Sequence, residues 1–128
     1  MVVLARARPV TAAWVIFGGM LGATARYLLN HAVTLRSESL LPLGTLTVNI
    51  VGSALLGALI GVGAGGVLGT AAGIGFCGAL TTFSTFGHET VVLATRGAYA
   101  YALANIVLNA GICLVAVYLA ATIAGLFG

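Results

Sequence analysis

Four long apolar stretches, separated by short polar or glycine-rich segments, make up almost the whole chain. A helix needs about 20 apolar residues to cross the hydrocarbon of a bilayer. The pattern therefore predicts a single domain over residues 1–128 with membrane-spanning helices at about residues 11–31, 44–62, 67–94 and 98–126. The intervening segments are polar or rich in glycine, which is typical of turns, and they lie at 34–39, 61–66 and 96–97.

The composition supports this interpretation and excludes an ordinary soluble fold. Of the 128 residues, 61% are hydrophobic and 5% are charged, whereas about 25% of a typical soluble domain is charged. Two acidic and five basic side chains cannot cover the surface of a soluble protein of this size. A membrane β-barrel would need strands with alternating polar positions, which this sequence lacks. We therefore predict an all-α integral membrane protein surrounded by lipid.

The residues present disfavour several kinds of chemistry. The net charge of +3 is small and scattered, which gives no support to nucleic-acid binding. Cys77 and Cys113 lie within apolar stretches and are interpreted as packing residues rather than as a disulfide or metal ligands. His88 and Glu89 are neighbours in sequence, and adjacent side chains of a helix do not face each other. We therefore expect no catalytic pair and no enzyme activity.

The arginines predict an unusual membrane topology. With a cytoplasmic N-terminus, Arg6 and Arg8 lie on the cytoplasmic side, and Arg36 and Arg96 lie in the loops on the opposite side. Because basic residues favour the cytoplasmic side, this even division sets no preferred orientation. We expect insertion in both orientations and pairing as an antiparallel homodimer, unless Arg6 and Arg8 dominate through their closeness to the first span. The apolar run after Arg8 is as long as a full span, which disfavours a signal peptide cleaved at residues 23–25.

Glycine pairs four residues apart predict a tightly packed bundle. Membrane helices associate by close backbone contact, which small residues permit. The pairs are Gly18 with Gly22, Gly57 with Gly61, and Gly69 with Gly73. With 19 glycines in the chain, chance explains any single pair equally well.

Polar residues inside the spans are the main functional candidates, because burying a polar group without a partner is costly. In the second span, Thr45, Asn49, Gly52 and Ser53 fall on one helical face. Asn49 lies well inside the span and offers two N–H donors and one acceptor. We predict that Asn49 lines a polar path; the alternative is an asparagine that only bonds to a neighbouring helix.

The third span contains glycines, threonines and a serine over residues 75–87, in the middle of a membrane crossing. These residues have weak helix propensity and predict a break in the helix. A break frees backbone carbonyl groups, which a bound cation would satisfy. The alternative is a continuous helix whose hydroxyl groups bond back to the preceding turn. Phe83 and Phe86 share a face, and their positively polarised ring edges would attract a small anion, although two such residues are more often in packing or lipid contacts.

In the fourth span, Tyr101, Asn105 and Asn109 follow one another at intervals of four residues. Residues four apart lie on the same face of a helix. The spacing therefore predicts a line of hydrogen-bond donors along one side of this helix.

Taken with these motifs, the sequence resembles the Fluc (CrcB-type) fluoride channel family over nearly the whole chain. The most specific similarity is the Thr-Thr-Phe-Ser-Thr-Phe run at 81–86, in the third of four spans. Three blocks carry the resemblance: 18–23 with Arg26 and Tyr27, 42–46 with Asn49 and Gly52, and 75–78 followed by 81–86.

The resemblance implies a dual-topology antiparallel homodimer with two pores, which exports fluoride passively through the cell membrane. It implies a structural sodium ion at the dimer centre, held by the backbone carbonyls of Gly78 and Thr81 from both subunits. It also implies a fluoride path lined by Asn49, Phe83, Ser84 and Phe86. The candidate set is completed by Thr82, Tyr101, Asn105 and Asn109 for the path, and by Arg26 and Glu89 with no role assigned.

One position departs from the family pattern. Members often have Gly-Gly where this chain has Gly78-Ala79. The methyl group of Ala79 restricts the backbone at the predicted break but leaves the Gly78 carbonyl available. The alternative function is a small dual-topology multidrug exporter, which needs a carboxylate deep in the first span; this chain has none there.

Overall fold

The computed structural model describes residues 9–128, and the regular structure of these residues is helical. It contains four helices that are long and apolar enough to cross a membrane, as predicted. The first two are α1 (Pro9–Arg36) and α2 (Leu43–Gly61). The third crossing, Gly66–Thr95, is divided into α3 (residues 66–80) and α4 (Ser84–Thr95), and the fourth is α5 (Tyr99–Gly125).

The end of α1 differs from the prediction. The polarity of residues 34–39 predicts that the first span ends near His31, whereas α1 continues to Arg36. A helix of 28 residues is about 42 Å long, and the hydrocarbon core is about 30 Å thick. The polar end of α1 therefore lies where water can solvate it. Arg6 and Arg8 lie outside the described residues, so the topology inferred from the arginines stays a prediction.

Glycine brings the helices into backbone contact at two interfaces, between α1 and α3 and between α2 and α5. At four glycines an added Cβ atom would collide with a backbone carbonyl of the facing helix: Gly18 with Ala71, Gly22 with Phe76, Gly57 with Val117, and Gly61 with Ala121. These are the first two predicted glycine pairs, and their role in close helix packing is confirmed.

The third glycine pair does not pack in this way, which agrees with the alternative that chance explains a single pair. Gly69 approaches only the turn that precedes it, where a Cβ atom would lie 2.7 Å from the Ala64 carbonyl oxygen, and Gly73 faces leucine side chains of α2 at 3.9 Å or more. The segment Gly69–Cys77 is wound as a π-helix. In a π-helix the hydrogen bonds run from i to i+5, so residues four apart no longer lie one above the other.

The third crossing is interrupted near its middle, as predicted. The helix α3 ends at Leu80, Thr81 adopts an extended conformation with φ −78° and ψ 155°, and α4 begins at Ser84. The hydroxyl group of Thr81 does donate to the carbonyl of Cys77 one turn back, at 3.0 Å. The helix is nevertheless not continuous, so the alternative of an unbroken third helix is wrong.

Candidate functional site

The side chain of Asn49, on α2, holds the break in the third crossing. Its Oδ1 accepts a hydrogen bond from the Thr82 N–H at 2.8 Å, and its Nδ2 donates to the Thr82 carbonyl at 3.1 Å. The same Nδ2 donates to Oδ1 of Asn109, on α5, at 2.9 Å. Both N–H groups of the Asn49 amide are therefore engaged, and one side chain ties three segments together.

The carbonyl groups of Gly78 and Thr81 are left without hydrogen-bond donors at the break. In an unbroken helix the Gly78 carbonyl would accept from the N–H of Thr82, and the Thr81 carbonyl from the N–H of Thr85. Here the Thr82 N–H donates to Asn49 at 2.8 Å, and the Thr85 N–H donates to the Thr82 hydroxyl at 3.2 Å. Within residues 9–128, no other hydrogen-bond donor reaches either oxygen. The two oxygens are thus available to a ligand.

An open cavity of about 460 Å³ lies beside the break, between α2, α3, α4 and α5. Its walls are mostly small or apolar side chains, with a few polar groups grouped around the break. It brings together a majority of the predicted site residues, namely Asn49, Gly78, Thr81, Thr82, Phe83, Phe86 and Asn109. A mostly apolar cavity with a few localised polar groups is typical of a binding site for a small ligand.

Two phenylalanines form the rim of this cavity. Phe83, within the break, is 83% exposed, and Phe86 lies on the first turn of α4. Their ring centroids are 5.8 Å apart with the planes at 56°, so the two rings are neighbours. Ser84 lies between them in sequence but is not part of the cavity wall; its hydroxyl lies 3.5 Å from that of Thr82. A ring edge at the rim of this cavity can face an anion.

The polar residues of α5 form a buried hydrogen-bond chain rather than an open line of donors. Nδ2 of Asn109 donates to Oδ1 and to the carbonyl of Asn105, at 2.9 and 3.0 Å. Asn105 is 0% exposed and donates in turn to the Thr90 hydroxyl, on α4, at 2.9 Å. Tyr101 is 43% exposed and lies outside the cavity. The role of these three residues in an ion path stays a prediction.

Arg26 and Glu89 lie away from the cavity. Nε of Arg26, on α1, donates to the carbonyl of Ala79 at the end of α3, at 2.7 Å. The carboxylate of Glu89 accepts from the Thr45 hydroxyl at 2.8 Å. Its second oxygen is buried without a hydrogen-bond partner among residues 9–128. Glu89 is also one of the residues that line a smaller, more polar cavity of about 300 Å³.

Sequence reasoning missed two threonines that shape the site. Thr85 gives its N–H to a hydroxyl group instead of to the helix, and Thr90 accepts from Asn105 and donates to the Phe86 carbonyl at 2.8 Å. Helical spacing links Thr90 to Phe86, four residues earlier. It gives no signal for the contact with Asn105, which comes from another helix.

Comparison with known proteins places the whole bundle in one family. A family model described as CrcB-like protein, Camphor Resistance (CrcB), matches residues 13–121. The protein named fluoride-specific ion channel FluC 1 from Nocardia farcinica is 63% identical over 114 residues, which cover 89% of this chain and 80% of that protein.

More distant relatives carry similar names. Fluoride-specific ion channel FluC 1 from Streptomyces avermitilis is 43% identical over 71% of this chain and 77% of its own length. Fluoride-specific ion channel FluC from Shewanella pealeana is 42% identical over 83% of this chain and 89% of its own length. The chain therefore belongs to the CrcB-like family, and with its four membrane-spanning helices it is a multi-pass membrane protein.

Proposed function

We propose that this chain forms a fluoride-selective channel through which fluoride leaves the cytoplasm passively, and that it is not an enzyme. The observation that carries the proposal is the 63% identity to a protein named fluoride-specific ion channel, over 89% of the chain. The cavity at the break is consistent with it, because the ring edges of Phe83 and Phe86 there can face a small anion without a fixed charge that would hold it tightly.

The chemistry of fluoride explains why a passive channel suffices. Neutral HF crosses a bilayer and dissociates in the cytoplasm, where the anion is trapped, because a bare anion in hydrocarbon costs on the order of tens of kcal/mol. An inside-negative membrane potential drives an anion outward with about 2.3 kcal/mol per 100 mV. The alternative function, a multidrug exporter, needs a carboxylate deep in the first span. It is disfavoured because α1 contains no acidic residue.

The ion selectivity tests this function. With unequal fluoride concentrations on the two sides of a planar bilayer and the opposite gradient of chloride, the proposal predicts a current that reverses near the fluoride equilibrium potential. A reversal potential that shows equal permeability to both anions would contradict fluoride selectivity.

We infer further that two copies pair across the break. Irregular backbone at membrane depth is tolerated only where it is buried in protein or lines a water-filled cavity. In the single subunit, the break carries two carbonyls without donors and an 83% exposed Phe83, beside an open cavity. A second copy on this face would cover the break and complete the cavity wall, and an antiparallel arrangement suits a chain whose arginines set no orientation.

A reporter fused to the C-terminus is expected to give signal on both sides of the membrane. The reason is the even division of Arg6 and Arg8 against Arg36 and Arg96. A matched variant with Arg36→Ser and Arg96→Ser removes the arginines from the loops opposite Arg6 and Arg8, so its reporter should appear on one side. Signal from the parent chain on a single side would show a fixed topology and exclude the antiparallel dimer.

We propose that the dimer holds a structural sodium ion between the carbonyls of Gly78 and Thr81 of the two copies. The two oxygens without donors in each subunit support this site, since hard oxygen ligands suit a hard cation. The absence of a carboxylate from the cavity wall favours a monovalent ion over calcium. When bound, the ion supplies a fixed positive charge between two anion paths.

The sodium ion is expected to stay in place while fluoride moves. Under a sodium gradient with equal fluoride on both sides, the reversal potential should therefore stay near zero. A potential that follows the sodium gradient would show that the cation permeates, and the structural assignment would be wrong.

Replacing Phe83 or Phe86 with isoleucine is expected to slow fluoride flux, because isoleucine keeps an apolar side chain and removes the positively polarised ring edge. Contacts of ring edges contribute about 0.5–1.5 kcal/mol, so we expect a flux about two- to tenfold lower. Phe17→Ile is the matched control, since Phe17 is an exposed ring on α1 outside the cavity. If all three variants conduct like the parent, the two rings serve only in packing.

A further inference from the structure

Arg26 is a charged residue of α1 whose hydrogen bond is to the backbone rather than to an acidic side chain. Its Nε donates to the carbonyl of Ala79 at 2.7 Å. The chain has two acidic residues, of which Glu38 follows α1 and Glu89 contacts Thr45. The guanidinium group of Arg26 thus binds a carbonyl at the C-terminal end of α3. The last carbonyls of a helix carry partial negative charge.

The packing of α1 on α3 determines which turn of α3 lies beside Arg26. Gly18 contacts Ala71 and Gly22 contacts Phe76, and Arg26 lies one further turn along α1. The two helices run side by side with backbone contact at both glycines, so the Arg26 side chain arrives at the last turn of α3. Its donor replaces the helical N–H that the Ala79 carbonyl loses because α3 ends at Leu80.

The break is therefore held from both sides. Arg26 holds the Ala79 carbonyl from α1, and Asn49 holds the N–H and carbonyl of Thr82 from α2. The two carbonyls without donors, those of Gly78 and Thr81, belong to the residues directly before the held ones. Because peptide groups are planar and share Cα atoms with their neighbours, fixing Ala79 and Thr82 limits the rotation of both free carbonyls.

We infer that Arg26 is a positioning residue for the cation site, and that it acts through its Nε–H donor rather than through its charge. The inference rests on the proposed sodium site. A positive charge near a bound cation is repulsive, so the charge of Arg26 does not itself favour sodium. Its hydrogen bond does, because it keeps the Gly78 and Thr81 carbonyls directed away from α1 and toward the cavity.

Two substitutions separate the donor from the charge. In Arg26→Gln, the amide nitrogen stands at the same number of bonds from Cα as Nε of arginine, so the donor is kept and the charge is lost. Arg26→Met keeps a similar length and has neither. Arg36→Met, at the exposed end of α1, is the control for loss of an arginine elsewhere.

The readout is the stabilisation of the purified dimer against thermal unfolding as sodium replaces N-methyl-D-glucamine. A ligand that binds only the folded state raises stability as the logarithm of one plus the ratio of its concentration to its dissociation constant. A fit of this rise gives the apparent sodium dissociation constant, which is called the midpoint here. Arg26→Gln and Arg36→Met should keep the midpoint of the parent within about twofold, and Arg26→Met should need about tenfold more sodium. Fluoride flux at low sodium should fall in parallel.

The outcomes distinguish the inference from the proposed sodium site. Equal midpoints for the parent and Arg26→Met would overturn the role of Arg26 and leave the sodium site standing. Equal shifts in Arg26→Gln and Arg26→Met would show that the charge acts, which also overturns it. No effect of sodium on the parent would remove the sodium site, and the inference with it. If Arg26→Met forms no dimer at any sodium concentration, Arg26→Gln decides, because the inference requires it to keep the parent midpoint.

Discussion

Replacing Asn49 with alanine is expected to slow fluoride flux by at least about tenfold, which corresponds to about 1.4 kcal/mol in a barrier. The substitution removes the partner of the Thr82 N–H, of the Thr82 carbonyl and of Oδ1 of Asn109. Each buried polar group left without a partner costs about 1–3 kcal/mol. The break then loses its restraint from α2, and the Thr82 N–H becomes free to return to the Gly78 carbonyl.

The proposed dimer should still form in this variant, since the glycine contacts that pack the helices of each copy are unchanged. Asn49→Asp keeps the acceptor for Thr82 but removes both donors and adds negative charge, so it should be at least as slow. Thr47→Ala is the matched control on the same helix, because the Thr47 hydroxyl bonds only to the carbonyl of Leu43 in its own helix, at 2.7 Å. Flux in Asn49→Ala equal to that of Thr47→Ala would remove Asn49 from both the path and the restraint of the break.

Replacing Gly22 with valine is expected to prevent the close packing of α1 on α3. A Cβ atom at Gly22 would collide with the Phe76 carbonyl, a backbone group that cannot turn aside. Overpacking costs about 1–3 kcal/mol where side chains can adjust, and backbone has less room to yield. We expect the variant to lose most of its folded protein in mild detergent, measured by size-exclusion chromatography and by its thermal unfolding midpoint.

Gly19→Val is the control for this substitution, since it introduces the same residue three positions earlier on the same helix. A Cβ atom at Gly19 would have its nearest neighbour, the Gly75 carbonyl oxygen, at 3.9 Å, an ordinary contact. Gly19→Val should therefore assemble like the parent. If both variants are equally stable, the glycine contact at Gly22 does not hold α1 against α3.

The sequence predicts the parts of this fold that depend on local composition. The four helices follow from apolar runs of sufficient length, and the break follows from the weak helix propensity of the glycines and threonines before Ser84. The close approach at Gly18 and Gly22 follows from a spacing that a regular α-helix preserves. The same spacing does not bring Gly69 and Gly73 against a facing helix, because the segment Gly69–Cys77 is wound as a π-helix. The glycine and alanine residues of this segment do not reveal that winding in advance.

Contacts between helices are what the sequence leaves undetermined. Asn49 stands out as a buried amide, but its partners Thr82 and Asn109 lie 33 and 60 residues away, and no local pattern selects them. For the same reason, Asn105 is predicted as one of a line of donors on the fourth helix, and its bond to the Thr90 hydroxyl on α4 is seen only in the packed bundle. The Arg26 contact with Ala79 depends on the relative height of α1 and α3, which only the packed structure defines.

Fluoride efflux from liposomes that contain the purified protein tests the central claim most directly. Liposomes loaded with fluoride, or with chloride in a parallel sample, are diluted into a medium free of that anion, with a potassium carrier to balance charge. We expect fluoride to leave far faster than from protein-free liposomes, and chloride to remain inside. Fluoride and chloride leaving at equal rates, or fluoride leaving no faster than from empty liposomes, would contradict a fluoride-selective channel.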